Sequence, residues 1–478
     1  MSVQIKIGLT ISVVLFITYS FFPQKTTNDN VQSRITLTLS MVEDRTLSIN
    51  KFHRFTDDLA LFNGNYYSDK APGMAFSAVP IVIITRAVLR ASGDKGPSIW
   101  HDKLTPRFDN YVYWSTVFTS GLMTAIAALG LFFLALRIGA STAGAIFAML
   151  AFGLATPAWG WATFFFGHAV AGACLFLGLA AVFYWVRGPA NRRREVLLGF
   201  LAGALLAWAV VVEFTALPAA IIIATYGAVS MLRWPRNRFL RGSASAVVGA
   251  ILFSIPLLGY NAIVFDSPFR VGYGSVPGFE GMNEGFFGLG YPKVDVLYRL
   301  IFPQYRGILW YAPIIILVPM AIYLLWRSTA YRGLAIAISL IGIYYFLMNA
   351  SYYYWDGGGS TGPRHLTPML PFLCLPLGIL WTRFHDRFKP VLLGLFFLSF
   401  LVSFVSAAVD MASHPQYRYP LFDYLIPGFL KGDILRPPFV GGLQGHAALI
   451  PLFVIWALGF LYVRGLYVKT ENITQYTA

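Results

Sequence analysis

The sequence predicts an all-α polytopic membrane protein. Two features of its composition support this prediction: 57% of the 478 residues are hydrophobic and only 12% are charged, whereas a soluble domain contains about 25% charged residues. The mean hydropathy of +0.63 agrees with both. A third feature is the grouping of apolar residues into about twelve segments, each near the roughly 20 residues that a helix needs to cross a bilayer.

The predicted spans follow one another along the whole chain. They are residues 5–22, 111–136, 142–159, 168–186, 196–212, 215–232, 243–264, 307–326, 333–350, 366–382, 390–409 and 447–464. We expect the first span to be a retained anchor, because no small-x-small cleavage site follows the end of the run at Phe21-Phe22-Pro23.

The arginines and lysines predict the orientation of these spans, because cytoplasmic loops are enriched in both residues. With a cytoplasmic N-terminus, every inner loop is basic. The residues responsible are Arg137, Arg187, Arg192, Arg193, Arg194, Arg233, Arg236, Arg238, Arg241, Arg327, Arg332, Arg383, Arg387, Lys389, Arg464 and Lys469. The sequence therefore predicts a multi-pass protein of the plasma (inner) membrane with both termini in the cytoplasm.

One apolar segment does not fit this orientation. Residues 74–91 contain Pro80 and Arg86, and counting them as a span would move the basic loops outside. We interpret them as a membrane-dipping helix on the outer face, so that the first outer loop covers 24–110. The further outer, periplasmic loops are 265–306, 351–365 and 410–446. The chain 1–478 is then a single transmembrane domain.

Several classes of function are disfavoured. The net charge is +15, but the basic residues lie in short loops and no basic helix is interleaved with base-stacking aromatics, so no nucleic-acid partner is predicted. Cys174 and Cys374 lie in apolar runs and form no disulfide or metal pattern. No HExxH, CxxC or GxSxG motif occurs in a suitable context. A divalent metal ion held by carboxylates stays open, although no spacing requires one.

The first outer loop carries two candidate groups of residues. Asp57 and Asp58 follow a threonine, so they either cap a helix that begins at Leu59 or supply a general base. The string from Tyr66 to Gly73 contains Lys70, a compact cation suited to a phosphate. Beside it, Asp69 orients the lysine, contacts a sugar or takes part in catalysis, and Tyr67 is a candidate substrate contact.

Other candidates lie on the same predicted face. Arg34, near the start of a short helix, contacts either lipid phosphates or a substrate. His168 begins a span after a run of aromatics and is either structural or catalytic. A carboxylate at the depth of Glu213 is functional by default, unless it reaches the membrane surface. Arg364 follows a glycine-rich loop, where it would clamp a phosphate.

The combination of an N-terminal anchor, an outer loop with an acid-lysine-proline motif (Asp69, Lys70, Pro72) and many spans resembles the GT-C membrane glycosyltransferases. It is most similar to family 39, the protein O-mannosyltransferases and lipid A aminoarabinose transferases. The resemblance implies a GT-C-like bundle of about twelve helices, by the same length rule, with interfacial helices in the first loop. It also implies a polyprenyl-phosphate sugar donor and a lipid, glycan or protein acceptor, with Lys70 helping to hold the donor phosphate.

Two departures from the family concern the general base. The first-loop catalytic acid is expected at Asn30, with Asp29 beside it, and the second-loop acid near His168. The remaining contenders for the base are Asp57, Asp58, Asp29 and His168, while Asn30 and Glu213 become candidate substrate contacts beside the cations Arg34, Lys70 and Arg364. The alternatives are a transporter or flippase for a lipid-linked sugar, and a non-catalytic partner in an envelope-glycan pathway.

Overall fold

A computed structural model describes residues 2–24, 26, 28–100, 103–277 and 280–476. Of the residues described, 72% are helical. Within the described residues, ten helices are long and apolar enough to cross a membrane, and three shorter apolar helices accompany them. Each of the twelve predicted spans coincides with one of these helices. The prediction of an all-α polytopic bundle is therefore confirmed, whereas the number of helices that cross the membrane stays a prediction.

The described part of the chain contains twenty α-helices and two short hairpins. The helices are α1 (Val3–Tyr19), α2 (Asp29–Leu39), α3 (Gly73–Ala91), α4 (Pro106–Thr116), α5 (Leu122–Arg137), α6 (Thr142–Leu154), α7 (Ala158–Ala162), α8 (Gly167–Arg187), α9 (Arg192–Val212), α10 (Leu217–Met231), α11 (Arg236–Phe265), α12 (Val294–Ile301), α13 (Ile308–Tyr311), α14 (Val318–Trp326), α15 (Arg332–Ser351), α16 (Leu370–Cys374), α17 (Leu377–Arg383), α18 (Lys389–Val409), α19 (Ile426–Lys431) and α20 (Ile450–Tyr476). The hairpins pair β1 (Leu59–Phe62) with β2 (Asn65–Ser68) and β3 (Ile99–Trp100) with β4 (Lys103–Leu104).

Helix α8 lies at the centre of the bundle. It packs against α5, α9 and α10, and 89% of its apolar stretch is buried. Its small residues allow close approach: a Cβ on Gly172 would lie 2.7 Å from the Cα of Pro368. This contact brings the start of α8, with His168, beside the 3₁₀ turn Arg364–Met369.

Glycines also fix the packing of α9 against α11. A Cβ on Gly203 would lie 1.8 Å from the carbonyl oxygen of Ala246, and one on Gly249 would lie 2.3 Å from that of Phe200. Small residues let helix backbones approach within a bilayer, where apolar burial alone does not drive association. The pair holds the C-terminal end of α9, and with it Glu213, in a fixed position.

The predicted inner loops meet at one end of the bundle, which we call the basic end. The Tyr331 hydroxyl donates to the carbonyl of Arg137 at 3.3 Å, and the Arg187 guanidinium lies 5.7 Å from the Tyr331 ring centroid. On α9 and α11, Arg238 pairs with the buried Glu195 at 2.6 Å. The opposite end, which we call the distal end, therefore contains the start of α4 and the last turn of α9.

The first predicted outer loop folds as α2, the β1–β2 hairpin and α3. The turn residues Asn63 and Gly64 both have positive φ, 48° and 76°, as a two-residue type I′ hairpin requires. The expectation that Asp57 and Asp58 cap a helix starting at Leu59 is therefore wrong, because Leu59 begins a strand. Local Asn-Gly turn chemistry sets this structure.

Both ends of α3 contact helix ends at the distal end. A Cβ on Gly73 would lie 2.6 Å from the carbonyl oxygen of Val211, near the end of α9. Beyond the other end of α3, the Asp94 carboxylate accepts a hydrogen bond from Arg107, in the first turn of α4, at 3.3 Å. By length and composition α3 is one of the ten helices able to span. Its membrane-dipping position stays a prediction, and these two contacts agree with it.

Candidate active site

A cavity of about 460 Å³ opens at the distal end of the bundle. Its walls come from the first turns of α2, the end of β2, the starts of α8 and α10, the ends of α9 and α15, and the loops around residues 271–289 and 352–365. Ionisable side chains crowd its lining: Asp29, Arg34, Asp58, Asp69, Lys70, His168, Glu213, Arg364 and His365.

Lys70 is held between two carboxylates. Its Nζ lies 2.7 Å from Asp69 Oδ2 and 3.0 Å from Asp58 Oδ2, and Ser33 Oγ donates to the other oxygen of Asp69 at 3.3 Å. Burial alone would lower the pKa of Lys70, but the two carboxylates outweigh it and raise the pKa. Burial also raises the pKa of Asp69, against the pull of Lys70. Lys70 is thus permanently charged but already paired.

Arg34, on α2, is also paired with a carboxylate. It is 2% exposed, donates to Asn30 Oδ1 and forms an ion pair with Glu213 Oε1 at 2.8 Å. Burial raises the pKa of Glu213, although Arg34 opposes this. His168 Nδ1 lies 3.7 Å from the same Glu213 oxygen. The carboxylate can approach because residue 167 is a glycine, whose Cβ would lie 2.2 Å from Glu213 Oε1.

Arg364 is the cation whose charge is not neutralised. Among the described residues no carboxylate forms an ion pair with it, and its buried Nε has no hydrogen-bond partner. The guanidinium lies 5.3 Å from the ring centroid of Phe166. Gly357, with φ of +73°, passes so close that a Cβ would lie 2.8 Å from this Nε. An anion entering the cavity would therefore meet Arg364 as an available partner.

Among the residues that the structure describes, Asp29 is the carboxylate in the lining that no cation neutralises, and it is exposed. It opens α2, and its Oδ1 accepts the backbone N–H of Asp57 at 3.1 Å. Burial raises the pKa of Asp29, and the charges of Asp58 and Asp57 add to this effect, while the hydrogen bond from Asp57 opposes it. A carboxylate with a raised pKa and no cation partner among the described residues is suited to accept a proton.

The structure brings most of the predicted site residues together. Eight of the ten candidates line the cavity: Asn30, Arg34, Asp58, Asp69, Lys70, His168, Glu213 and Arg364. Two do not. The side chain of Asp57 is exposed and reaches the site only through its backbone N–H. Tyr67 packs edge-on against Phe265, with 6.0 Å between ring centroids.

Sequence reasoning missed several aromatic and imidazole groups of the lining. The run Tyr352-Tyr353-Tyr354 and Tyr273 line the cavity, as does His365, whose Nε2 is buried without a partner. The tyrosine run directly before a glycine-rich loop was the available signal, because aromatic side chains commonly line ligand sites and glycines let the backbone approach a ligand closely. Nothing in the sequence alone linked Tyr273 to them.

A second cavity, of about 580 Å³, lies on the other side of the first turn of α2. Val31 faces it, while Asn28, Asp29 and Asn30 face the first cavity. Its lining mixes apolar and polar side chains: Tyr19, Phe22, Gln24, Thr26, Asp109, Asn110, Tyr113, Thr116, Thr163, Phe164, Phe165 and Arg436. One helical turn therefore separates the two cavities.

Carboxylates and histidines are numerous in the first cavity, but they are not arranged as a metal centre. Within the described ranges, no group of three or more His, Cys, Asp or Glu side chains is placed to hold a metal ion. Lys70 and Arg34 lie between the acids and pair with them.

Comparison with known proteins identifies the fold. No protein-family model and no curated protein matches the chain. The structure of ArnT from Cupriavidus metallidurans bound to undecaprenyl phosphate is similar, with a TM-score of 0.52, 14% identity, and coverage of 98% of this chain and 72% of that one. The apo form of ArnT gives a TM-score of 0.51, 16% identity, and coverage of 97% and 69%.

A third structure is more distant. It is the archaeal oligosaccharyltransferase AglB from Archaeoglobus fulgidus in complex with an inhibitory peptide and a dolichol-phosphate, with a TM-score of 0.47, 12% identity, and coverage of 86% of this chain and 56% of that one. The similarity to ArnT spans nearly the whole chain and bears out the predicted resemblance. The chain thus has the GT-C fold of membrane glycosyltransferases.

Proposed function

We propose that this protein is a glycosyltransferase that moves a sugar from a polyprenyl-phosphate donor to an acceptor hydroxyl at the outer face of the membrane. The observation that carries the proposal is the convergence of Arg364, Lys70 and Arg34 with the unpaired carboxylate of Asp29 in one cavity at the distal end. The shared fold adds support, because ArnT was solved with undecaprenyl phosphate bound.

The donor phosphate is assigned to Arg364. Lys70 and Arg34 keep their own carboxylates, whereas no carboxylate of the described residues forms an ion pair with Arg364. A guanidinium binds a phosphate through two parallel hydrogen bonds. Lys70 then contributes a fixed positive charge near the leaving phosphate, where preorganised charge stabilises the transition state.

Asp29 is assigned the role of general base. In a direct displacement, its carboxylate takes the proton of the acceptor hydroxyl, and the acceptor oxygen forms a bond to the anomeric carbon. The bond from that carbon to the phosphate oxygen breaks, and the phosphate leaves with the electron pair, held by Arg364. Asp58 and Asp69 are less suited because both are paired with Lys70. The rings of Tyr273 and Tyr352 would flank the sugar.

The lipid tail of the donor is assigned to the apolar side of the cavity. Leu217 and Phe286 line this side and are 50% and 72% exposed. Large exposed apolar side chains mark contact with a membrane or another apolar partner, so the tail would leave the cavity here and stay in the bilayer. The sugar-phosphate head would enter from the membrane side.

The second cavity is assigned to the part of the acceptor behind its reacting hydroxyl, which must pass the first turn of α2 to meet Asp29 in the first cavity. It reaches the opposite side of the turn that carries Asp29, and its mixed lining suits an amphipathic molecule. Asn110, half-buried on α4, faces it. We expect Asn110→Trp to raise the KM for the acceptor at least tenfold and to leave donor binding unchanged. Equal acceptor KM values in this variant and the parent would refute the assignment of the second cavity to the acceptor.

The decisive experiment measures transfer and donor binding separately. Purified full-length protein in nanodiscs is incubated with radiolabelled polyprenyl-phosphate sugars and an envelope extract as acceptor. We expect transfer by the parent protein, and Asp29→Asn is expected to lose at least 100-fold in kcat while it keeps its donor affinity, since a general base contributes about 10²–10⁴-fold. Asp57→Asn, at the neighbouring acid that does not line the cavity, is the matched control and should stay active.

Two outcomes would favour other functions. A lipid-linked sugar that binds and crosses a vesicle membrane, with a rate that Asp29→Asn leaves unchanged, indicates the transporter or flippase. Donor binding without turnover in the parent protein for any sugar indicates a non-catalytic partner. Absence of both binding and transfer for every donor would refute the proposal.

A further inference from the structure

A fully buried arginine, Arg306, lies behind the glycine-rich loop. It is 1% exposed, and within the part of the chain that the structure describes no carboxylate forms an ion pair with it. Its guanidinium stacks on the Tyr305 ring, 3.9 Å from the centroid. A buried cation without a counter-ion is costly unless every donor finds a partner. The groups that accept hydrogen bonds from Arg306 therefore indicate its role.

Those partners are backbone carbonyls of the loop. Arg306 Nε donates to the carbonyl oxygen of Asp356 at 2.6 Å, and Nη2 donates to that of Gly358 at 2.7 Å. The third guanidinium nitrogen, Nη1, donates to the carbonyl oxygen of Tyr305 at 2.9 Å. The planar fork of the guanidinium thus fixes the orientation of the two peptide groups that flank the Gly357–Gly358 pair.

The orientation of the second peptide group has a consequence for the cavity. In a trans peptide the N–H points opposite to the C=O, so the N–H of Gly359 points away from Arg306. Among the described residues no acceptor receives this N–H, whereas the neighbouring Ser360 N–H donates to the carbonyl of Ser413 at 3.1 Å. Gly359 lines the cavity, together with Gly357 and Arg364.

We infer that Arg306 is a positioning residue that turns the Gly359 amide toward the donor phosphate, so that this N–H and the Arg364 guanidinium bind it together. The inference rests on the proposed function and goes further, because it assigns the phosphate a backbone donor and gives the glycine loop a reason for its shape. The two positive-φ glycines, Gly357 and Gly358, allow the loop to make the turn that Arg306 holds.

The test compares binding of undecaprenyl phosphate with binding of undecaprenol, which lacks the phosphate, to full-length protein in nanodiscs. We expect the parent protein to prefer the phosphate. Arg306→Lys keeps one charge but cannot bridge two carbonyls, so its preference for the phosphate should fall about tenfold, the cost of a hydrogen bond to a charged group. The control is Arg299→Lys. Arg299 is exposed and lies near Trp355 of the same loop, so this variant should keep the parent's preference for the phosphate.

A second pair of variants tests the amide without touching Arg306. Gly359→Pro removes the N–H and should lose the preference for phosphate. Gly359→Ala keeps the N–H, and its Cβ meets only the carbonyl oxygen of Ala412 at 3.5 Å, so it should bind as the parent does. This pair also covers the case in which Arg306→Lys does not fold.

The outcomes separate the two proposals. If the parent protein shows no preference for the phosphate over the alcohol, the proposed function fails. If the parent prefers the phosphate and both Arg306→Lys and Gly359→Pro keep that preference, the inference about Arg306 is refuted. A purely structural role would lower binding of both lipids equally and would likewise overturn it.

Discussion

At the residue scale, the cavity shows that positive charge alone does not leave a side chain available to an anion. Lys70 and Arg34 carry the same charge as Arg364, but carboxylates within 3 Å neutralise them. The motif around Lys70 was the strongest local signal in the sequence. Sequence cannot show ion pairing, because Asp58 is brought to Lys70 by a hairpin and Glu213 is brought to Arg34 by helix packing.

The first prediction compares the effects of Arg364 and Lys70. Arg364→Met removes an unpaired cation and should raise the donor KM about 10- to 100-fold with little change in thermal stability. Lys70→Met leaves two carboxylates without their cation, so it should destabilise the protein by about 3–5 kcal/mol, the usual cost of breaking a buried pair. Thermal unfolding in detergent, followed alongside donor kinetics, measures both. A large stability loss in Arg364→Met alone would contradict the assignment.

The second prediction concerns pH. Burial and the charges of Asp58 and Asp57 raise the pKa of Asp29, and a general base works only when deprotonated. Activity should therefore fall on acidification at a pH above the ordinary aspartate value of about 3.9. Asp57→Asn removes one charge that raises this pKa, so the acidic limb of the kcat/KM profile should move to lower pH. A limb that moves to higher pH in this variant would exclude Asp29 as the titrating group.

At the element scale, long apolar elements were predictable and short polar ones were not. Every predicted span coincides with an apolar helix because length and hydrophobicity are local properties of the sequence. The β1–β2 hairpin was missed, although Asn63-Gly64 between apolar runs is a strong hairpin signal. Two adjacent acids suggested a helix cap instead, and the turn residues decided the outcome.

The third prediction tests the glycine packing of α9 on α11. Gly203→Val would place atoms within about 2 Å of the Ala246 carbonyl, since even a Cβ would lie 1.8 Å from it, so the helices must separate. We expect a loss of thermal stability of several degrees or failure to fold, and a loss of transfer, because α9 carries Glu213 to Arg34. Gly259→Val, at a glycine of α11 with nothing within 4 Å of its Cβ, is the matched control. Equal stability of the two variants would contradict the packing argument.

At the scale of the whole molecule, the sequence predicted which residues share a face but not how they meet. The rule on arginine and lysine placement grouped His168, Glu213 and Arg364 on one side of the bundle, and all three line the cavity. Tyr67 and Asp57 shared that side and do not line it. Whether a residue lines the cavity depends on close glycine contacts, such as Gly167 with Glu213 and Gly172 with Pro368. A single sequence does not reveal these contacts.

The last prediction concerns the orientation of the molecule and tests α3. If α3 dips into the membrane and returns, the residues before and after it lie on one side, whereas a spanning α3 would separate them. Asn65→Cys in β2 and Lys95→Cys after α3 should both react with a membrane-impermeant thiol reagent added outside intact cells. Arg193→Cys, at the basic end, should react only after permeabilisation. The native Cys174 and Cys374 are buried and provide the background. Labelling of Asn65→Cys but not Lys95→Cys from outside would show that α3 crosses, and the orientation of every later span would then be reversed.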